Sequence, residues 1–95
     1  MPKGYIIASI RTQDMDTMRR FAEASAPVIA AFGGRVLARD TNPDIREGTQ
    51  QGISVVVEFD DLDTAKRFYE SEGYTSAKAI REAVAETDLR IVSGV

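Results

Sequence analysis

The 95-residue chain contains no cysteine and no histidine. Without cysteine there is no disulfide scaffold, no thiolate metal site and no thiol nucleophile. Without histidine the usual zinc sites, a proximal-histidine haem and every Ser-His or Cys-His catalytic pair are excluded. A basic excess is also lacking, since 12 Lys and Arg stand against 15 Asp and Glu, for a net charge of −3. Proteins that bind a phosphate backbone ordinarily carry the opposite balance, so no nucleic-acid partner is expected. No apolar run approaches the roughly 18 residues of a membrane span, and Met1-Pro2-Lys3-Gly4 opens no signal-peptide segment. The expectation is a cytoplasmic protein with no membrane partner. What is present is ordinary for a soluble globular chain, 43% hydrophobic and 28% charged. Its length suits one domain over residues 1–95.

Tyr5-Ile6-Ile7-Ala8-Ser9-Ile10-Arg11 is a short, β-branched apolar run that reads as a strand with apolar residues on both faces. Asp14 or Thr12 can cap the helix that follows. In that helix Met18, Phe21, Ala22, Val28, Ile29 and Phe32, with Ser25, recur at spacings of three and four and form one inward stripe. Pro27 lies within the stripe and is expected to kink or split the helix, because it has no N–H to donate. Gly33-Gly34 ends it. Arg35–Arg39 reads as a second strand and residues 40–52 as a long polar hairpin loop. Ile53–Phe59 is the clearest strand. Asp60-Asp61 then caps a helix bearing Leu62, Ala65, Phe68 and Tyr69, Gly73 interrupts it, and a further helix is expected over about residues 75–86. Leu89–Ser93 closes as a fourth strand.

The order β-α-β-β-α-β is the split βαβ arrangement, a ferredoxin-like α+β fold with an antiparallel four-stranded sheet and helices on one face. Such a sheet has a second face. With apolar residues on both sides of the first and third strands, and no further helical layer in the chain, a second subunit is the expected cover.

Several segments then fall in a familiar order. They are Gly4–Ala8, Ala31-Phe32-Gly33-Gly34-Arg35-Val36-Leu37-Ala38-Arg39, Val55–Phe59, Phe68-Tyr69-Glu70-Ser71 through Tyr74, and Ile91–Val95. Together they resemble the small bacterial family known as domain of unknown function 1330, over essentially the whole chain. The resemblance implies a dimeric α+β barrel, in which the open faces of two ferredoxin-like sheets pack together. It implies no particular reaction, because related barrels include cofactor-free monooxygenases, lactone isomerases and haem enzymes.

Glu58 stands out among candidate functional residues, as a carboxylate inside an apolar strand on the face opposite Ile53, Val55, Val57 and Phe59. It must be paired, hydrogen-bonded or protonated, and so is either a general base or ligand anchor, or one half of a structural ion pair. Arg39, at the end of the second strand, and Arg81 are its expected partners. Arg81 follows Tyr74 by seven residues and shares its helical face. A guanidinium can grip the carboxylate of a small organic acid as well as it grips Glu58. Tyr69 and Tyr74 flank the expected break and can anchor an oxygen-bearing ligand or simply pack.

Three look-alikes carry no function. Asp60-Asp61-Leu62-Asp63 opens a helix, where aspartate caps. Asp40–Asp44 starts like a calcium loop but has Ile45 and Gln51 where glycine and glutamate are needed. Gln51–Val55 lacks the stacking rings of an RNA-recognition strand. No cofactor and no metal are implied. Two readings remain. One is a cleft between helices and sheet, lined by Glu58, Arg39, Tyr69, Tyr74 and Arg81, performing cofactor-independent proton transfer or oxygenation on a small organic acid. The other is a non-catalytic homodimer that binds a metabolite or a protein.

Overall fold

The described residues form, in chain order, β1 (Gly4–Thr12), α1 (Met15–Ala31), β2 (Arg35–Asp40), β3 (Ile53–Phe59), α2 (Leu62–Glu70), α3 (Glu72–Glu82) and β4 (Ala85–Ser93). The computed structural model describes residues 2–49 and 51–95. Met1 and Gln50, at the head of the chain and within the 40–52 loop, lie outside the described residues. The strands form one antiparallel sheet in the order β2-β3-β1-β4. This is the ferredoxin-like α+β fold.

Alternation sorts the central strands between two environments. Ile6, Ala8 and Ile10 of β1 and Ile53, Val57 and Phe59 of β3 are buried beneath the helices, with Ile29, Phe68 and Tyr74 packed on them. Tyr5, Ile7 and Ser9 of β1 and Ser54, Val56 and Glu58 of β3 point to the other face. Among the described residues no helix covers that face, and Ile7 on it is 45% exposed.

Asp14 caps α1 by accepting from the Thr17 N–H at 3.0 Å and the Thr17 hydroxyl at 2.7 Å. The helix runs through Pro27 to Ala31 as one element, so the proline neither ends nor splits it. At its end Gly33 takes φ +71°, and the N–H of Gly34 closes back on Ile29 at 2.8 Å, a glycine-terminated helix end. Gly34 is required by space as well, since a Cβ there would stand 2.6 Å from the Phe59 ring.

Two boundaries differ from the sequence expectation. The interruption of the second helical segment is at Ser71, not at Gly73. Ser71 is extended, and its hydroxyl donates to the Phe68 carbonyl at 2.7 Å while accepting from the Tyr74 N–H at 3.2 Å. Gly73 lies inside α3, where a Cβ would come within 3.1 Å of Val28. Its role is to let α3 approach α1. The second difference is that α3 ends at Glu82 and β4 begins at Ala85, four residues before Leu89. The charged run Ala-Glu-Thr-Asp carries no helical stripe. It carries a strand alternation, with Ala85, Thr87, Leu89 and Ile91 half-buried and Glu86, Asp88 and Arg90 exposed.

Candidate functional site

The sheet's two faces divide the residues expected to form one cleft. Glu58 lies on the open face. Its partner is Arg35, not Arg39 or Arg81: Arg35 Nε and Nη2 donate to Glu58 Oε1 at 3.0 and 2.8 Å, and the Tyr5 hydroxyl donates to Oε2 at 2.9 Å. Asp60 and Lys3 extend the network. The Arg35 bonds, and then the Tyr5 bond, hold the Glu58 carboxyl below its ordinary pKa, while its acceptance of the Tyr5 proton raises that phenol. With the side chain 18% exposed and both oxygens engaged, Glu58 is held as a paired anion, and its face of the sheet separates it from the cavity under the helices.

That cavity has a volume of about 300 Å³ and is floored by the inward residues of β1 and β3, with Met18, Phe21 and Ala22 of α1 above them. Arg39, Tyr74 and Arg81 all line it. Ser71, by starting α3 where it does, sets Tyr74 one turn in, with its ring 4.7 Å from that of Phe68. Seven residues on, Arg81 is only 5% exposed. Its Nη2 donates to the Tyr74 hydroxyl at 3.2 Å, its Nη1 donates to the Thr87 hydroxyl at 3.0 Å, and its guanidinium stacks 5.1 Å from the centre of the Phe21 ring. All these partners are neutral. Among the described residues no carboxylate pairs with Arg81, and its Nε has no acceptor. A buried, uncompensated cation is costly.

Tyr69 does not reach the cavity. It lies on the other side of Arg81, beside a shallow polar pocket of about 270 Å³. There Lys78 Nζ sits 4.9 Å from its ring centre and donates to its hydroxyl at 3.5 Å. The structure thus brings together three of the five expected residues, Arg39, Tyr74 and Arg81, and leaves Glu58 and Tyr69 outside. It adds Arg19 and Thr41 at the cavity mouth, and Thr87 and Phe21 as supports of Arg81. Only the Tyr74–Arg81 spacing signalled any of this in the sequence.

No group of three or more acidic side chains among the described residues is placed to hold a metal ion. Asp61 is the N-cap of α2, accepting from the Thr64 N–H at 2.7 Å. No described helix is long and apolar enough to cross a membrane.

A four-stranded antiparallel sheet with helices on one face, in the ferredoxin-like order, defines a class of small α+β proteins. Within it, this chain belongs to the family described as domain of unknown function (DUF1330), whose sequence profile matches residues 3–95. The fold is similar to that of a protein of unknown function from Rhodopseudomonas palustris, with a TM-score of 0.80 and 14% identity over 99% of this chain and 83% of that one. It is also similar to a dimeric ferredoxin-like protein of unknown function from Thermobifida fusca, with a TM-score of 0.67 and 17% identity over 97% and 91% of the two chains. A third similar structure, from Caulobacter crescentus, is provisionally named an antibiotic biosynthesis monooxygenase; its TM-score is 0.64, with 15% identity over 99% and 91% of the two chains. No curated protein matches the sequence.

Proposed function

We propose that the protein binds a small, mostly apolar organic acid in the cavity between helices and sheet, with the acid group on Arg81. One observation carries this reading. The chain as a whole is acidic, yet the cavity lining contains three arginines, Arg19, Arg39 and Arg81, and neither Asp nor Glu. Cations focused in an apolar pocket of a net-negative protein favour an anionic ligand with an apolar body. Arg81 is the buried member of the three and has no carboxylate partner among the described residues, and a ligand carboxylate supplies its counter-charge.

A cavity of about 300 Å³ is at the lower end of the range for ligand pockets, which favours ligands of metabolite size. The test is isothermal titration with a panel of such acids, for example benzoate, hexanoate and octanoate, each against the alcohol of the same body. Binding of acids but not alcohols, lost in Arg81→Met, is the expected result. Equal binding of acids and alcohols, or none by any acid, overturns the reading.

The same proposal includes a second copy of the chain on the open face of the sheet, where Ile7 pairs with Val56 and Val92 stands opposite Tyr5. The Thermobifida fusca structure of the same fold is described as dimeric, which supports this arrangement. A location in the cytoplasm accords with a metabolite ligand.

A catalytic version of the same site has one specific support. Among the described residues Tyr74 is the only phenol lining the cavity, and its hydroxyl is held 3.2 Å from Arg81 Nη2. Cofactor-independent proton transfer or oxygenation of the bound acid would draw on Tyr74, not on Glu58, which lies across the sheet. Incubation of each bound acid in air in deuterated water, followed by mass spectrometry, separates the two versions, because oxygenation adds oxygen and proton transfer exchanges deuterium onto carbon. A product formed by the native protein and not by Tyr74→Phe supports catalysis, and recovery of the unchanged acid supports binding alone.

A further inference from the structure

Two of the cavity's cations, Arg81 and Arg39, stand toward opposite edges of the sheet, and their separation carries more than a preference for one negative charge. Arg81 is fixed to β4, at one edge of the sheet, through its bond to Thr87. Arg39 stands opposite Val55 on β2, at the other edge. The register continues the row from Val55 to Ala8 and from Ala8 to Leu89. All four of these residues, Arg39, Val55, Ala8 and Leu89, line the one cavity. The cavity therefore crosses the full width of the sheet. Three strand spacings of about 4.8 Å put the two ends of this row roughly 14 Å apart at the backbone.

Arg39 differs from the other cations near the ends of the molecule. Arg19, also at the mouth, is paired with Asp16, and Arg35, on the same strand, is paired with Glu58 and Asp60. Arg39 has no carboxylate partner among the described residues, yet it is directed to the cavity side of the sheet. The Thr41 hydroxyl lines the same mouth. An arginine on an exposed edge strand can also serve only to discourage strand pairing, and the experiment below separates that role.

We infer that the ligand carries an anionic group at each end of an apolar body, one held by the buried Arg81 and the other by Arg39 at the mouth, as in an α,ω-dicarboxylic acid. This rests on the reading of the cavity as an acid site and narrows its ligand class. The gap between the two guanidinium groups sets which chain length spans it, and the graded series below measures that length. The inner acid group binds in a dry setting and supplies most of the affinity. The outer one binds in contact with water and supplies selection among acids of equal length.

The experiment titrates the intact protein with a graded series of α,ω-dicarboxylates and with the monocarboxylates of the same carbon number. Its readout is the ratio of the two dissociation constants at each length. The expected result is a diacid preference of roughly three- to fivefold, the scale of an exposed ion pair, peaking at one length and shrinking as salt is raised. In Arg39→Gln the ratio falls to one at every length, with circular dichroism reporting an unchanged fold. A ratio of one in the native protein, or a preference that Arg39→Gln leaves intact, overturns the inference while the acid site stands. Failure of both series to bind overturns the acid site itself, and this inference with it.

Discussion

The Tyr74 hydroxyl lies 3.2 Å from Nη2 of Arg81, inside a cavity whose walls offer that guanidinium no negative partner. Buried ionic groups commonly cost more in desolvation than their surroundings return, and apolar replacements of similar shape are often neutral or stabilising. Arg81→Met removes a costly buried charge but leaves the Tyr74 and Thr87 hydroxyls without their donor, so the ligand-free protein is expected to stay within about 1 kcal/mol of native stability. The same change weakens acid binding by at least about thirtyfold, the lower range for losing one partner of a buried charge pair. Urea denaturation and calorimetric titration of the one variant check both halves. Loss of stability together with loss of binding would make Arg81 a structural residue only.

The network on the opposite face makes a separate pH prediction. The Glu58 carboxyl is held below its ordinary 4.5 chiefly by Arg35, and the Tyr5 phenol is raised above its ordinary 10.0 chiefly by its bond to Glu58. A lowered acid contributes stability that is present above its unfolded pKa and is lost as the pH falls through the folded one. A raised phenol contributes stability that is present below its unfolded pKa and is lost as the pH rises through the folded one. Stability should therefore plateau between the two and fall at both ends. Glu58→Gln is expected to flatten the acid limb only in part, because Asp14 and Asp61 are also lowered, each first by a backbone N–H, from Thr17 and from Thr64. In the same variant, ultraviolet titration should find Tyr5 ionising at lower pH than in the native protein. An acid limb unchanged by the substitution would show that Glu58 contributes nothing to folding.

How much of this was legible in the sequence is best seen on β2. Arg35 and Arg39 are four residues apart, so simple alternation puts both on one face of a strand. The register instead slips between Val36 and Ala38, setting Arg35 opposite Glu58 and Arg39 opposite Val55. One irregularity sends the two arginines to opposite faces, one into an ion pair and the other to the cavity. A bulge leaves no mark in residue type, and this is why the sequence assigned Glu58 the wrong partner. The four-stranded order, the helical stripe from Met18 to Ile29 and the Tyr74–Arg81 face were legible, because each is a local periodicity. The start of β4 was not. Its first four residues take their alternation from pairing with residues 9–12 of β1, more than seventy positions away.

Ser71 links local structure to the site. Its hydroxyl accepts from the Tyr74 N–H and donates to the Phe68 carbonyl, so that one side chain ends α2 and begins α3. Ser71→Ala removes the cap at a cost of about 1 kcal/mol. Because Tyr74 and Arg81 both ride on α3, acid affinity should fall in Ser71→Ala although Ser71 lies outside the cavity lining. Ser71→Asp, which restores an accepting oxygen, should recover both stability and affinity. Chemical denaturation and titration of the two variants decide the point. Affinity unchanged in Ser71→Ala would show that α3 holds its place through packing alone.

On the face that no described helix covers, residues 43–47 border a cavity of about 710 Å³ together with Ile7, Val56 and Val92. Ile7 is 45% exposed and sits in register with Val56 on one side and Arg90 on the other, near the middle of the sheet. Val92 stands opposite Tyr5 on the same face. With a second copy on this face, a two-fold contact places the substituted residue of each chain in one interface, so a single change acts twice. Ile7→Glu then places two carboxylates in the apolar contact, each with only the cross-strand Arg90 beside it, and because desolvation of a buried pair commonly outweighs its attraction the dimer dissociation constant should rise at least about tenfold. Within the single chain Ile7 faces water, so the substituted monomer should keep its fold and its circular dichroism spectrum. Sedimentation analysis at micromolar concentration is the measurement. A dimeric native protein and a folded monomeric Ile7→Glu are expected, and a native chain that sediments as a monomer, or an Ile7→Glu variant that stays dimeric, would show that this face is not where two copies meet.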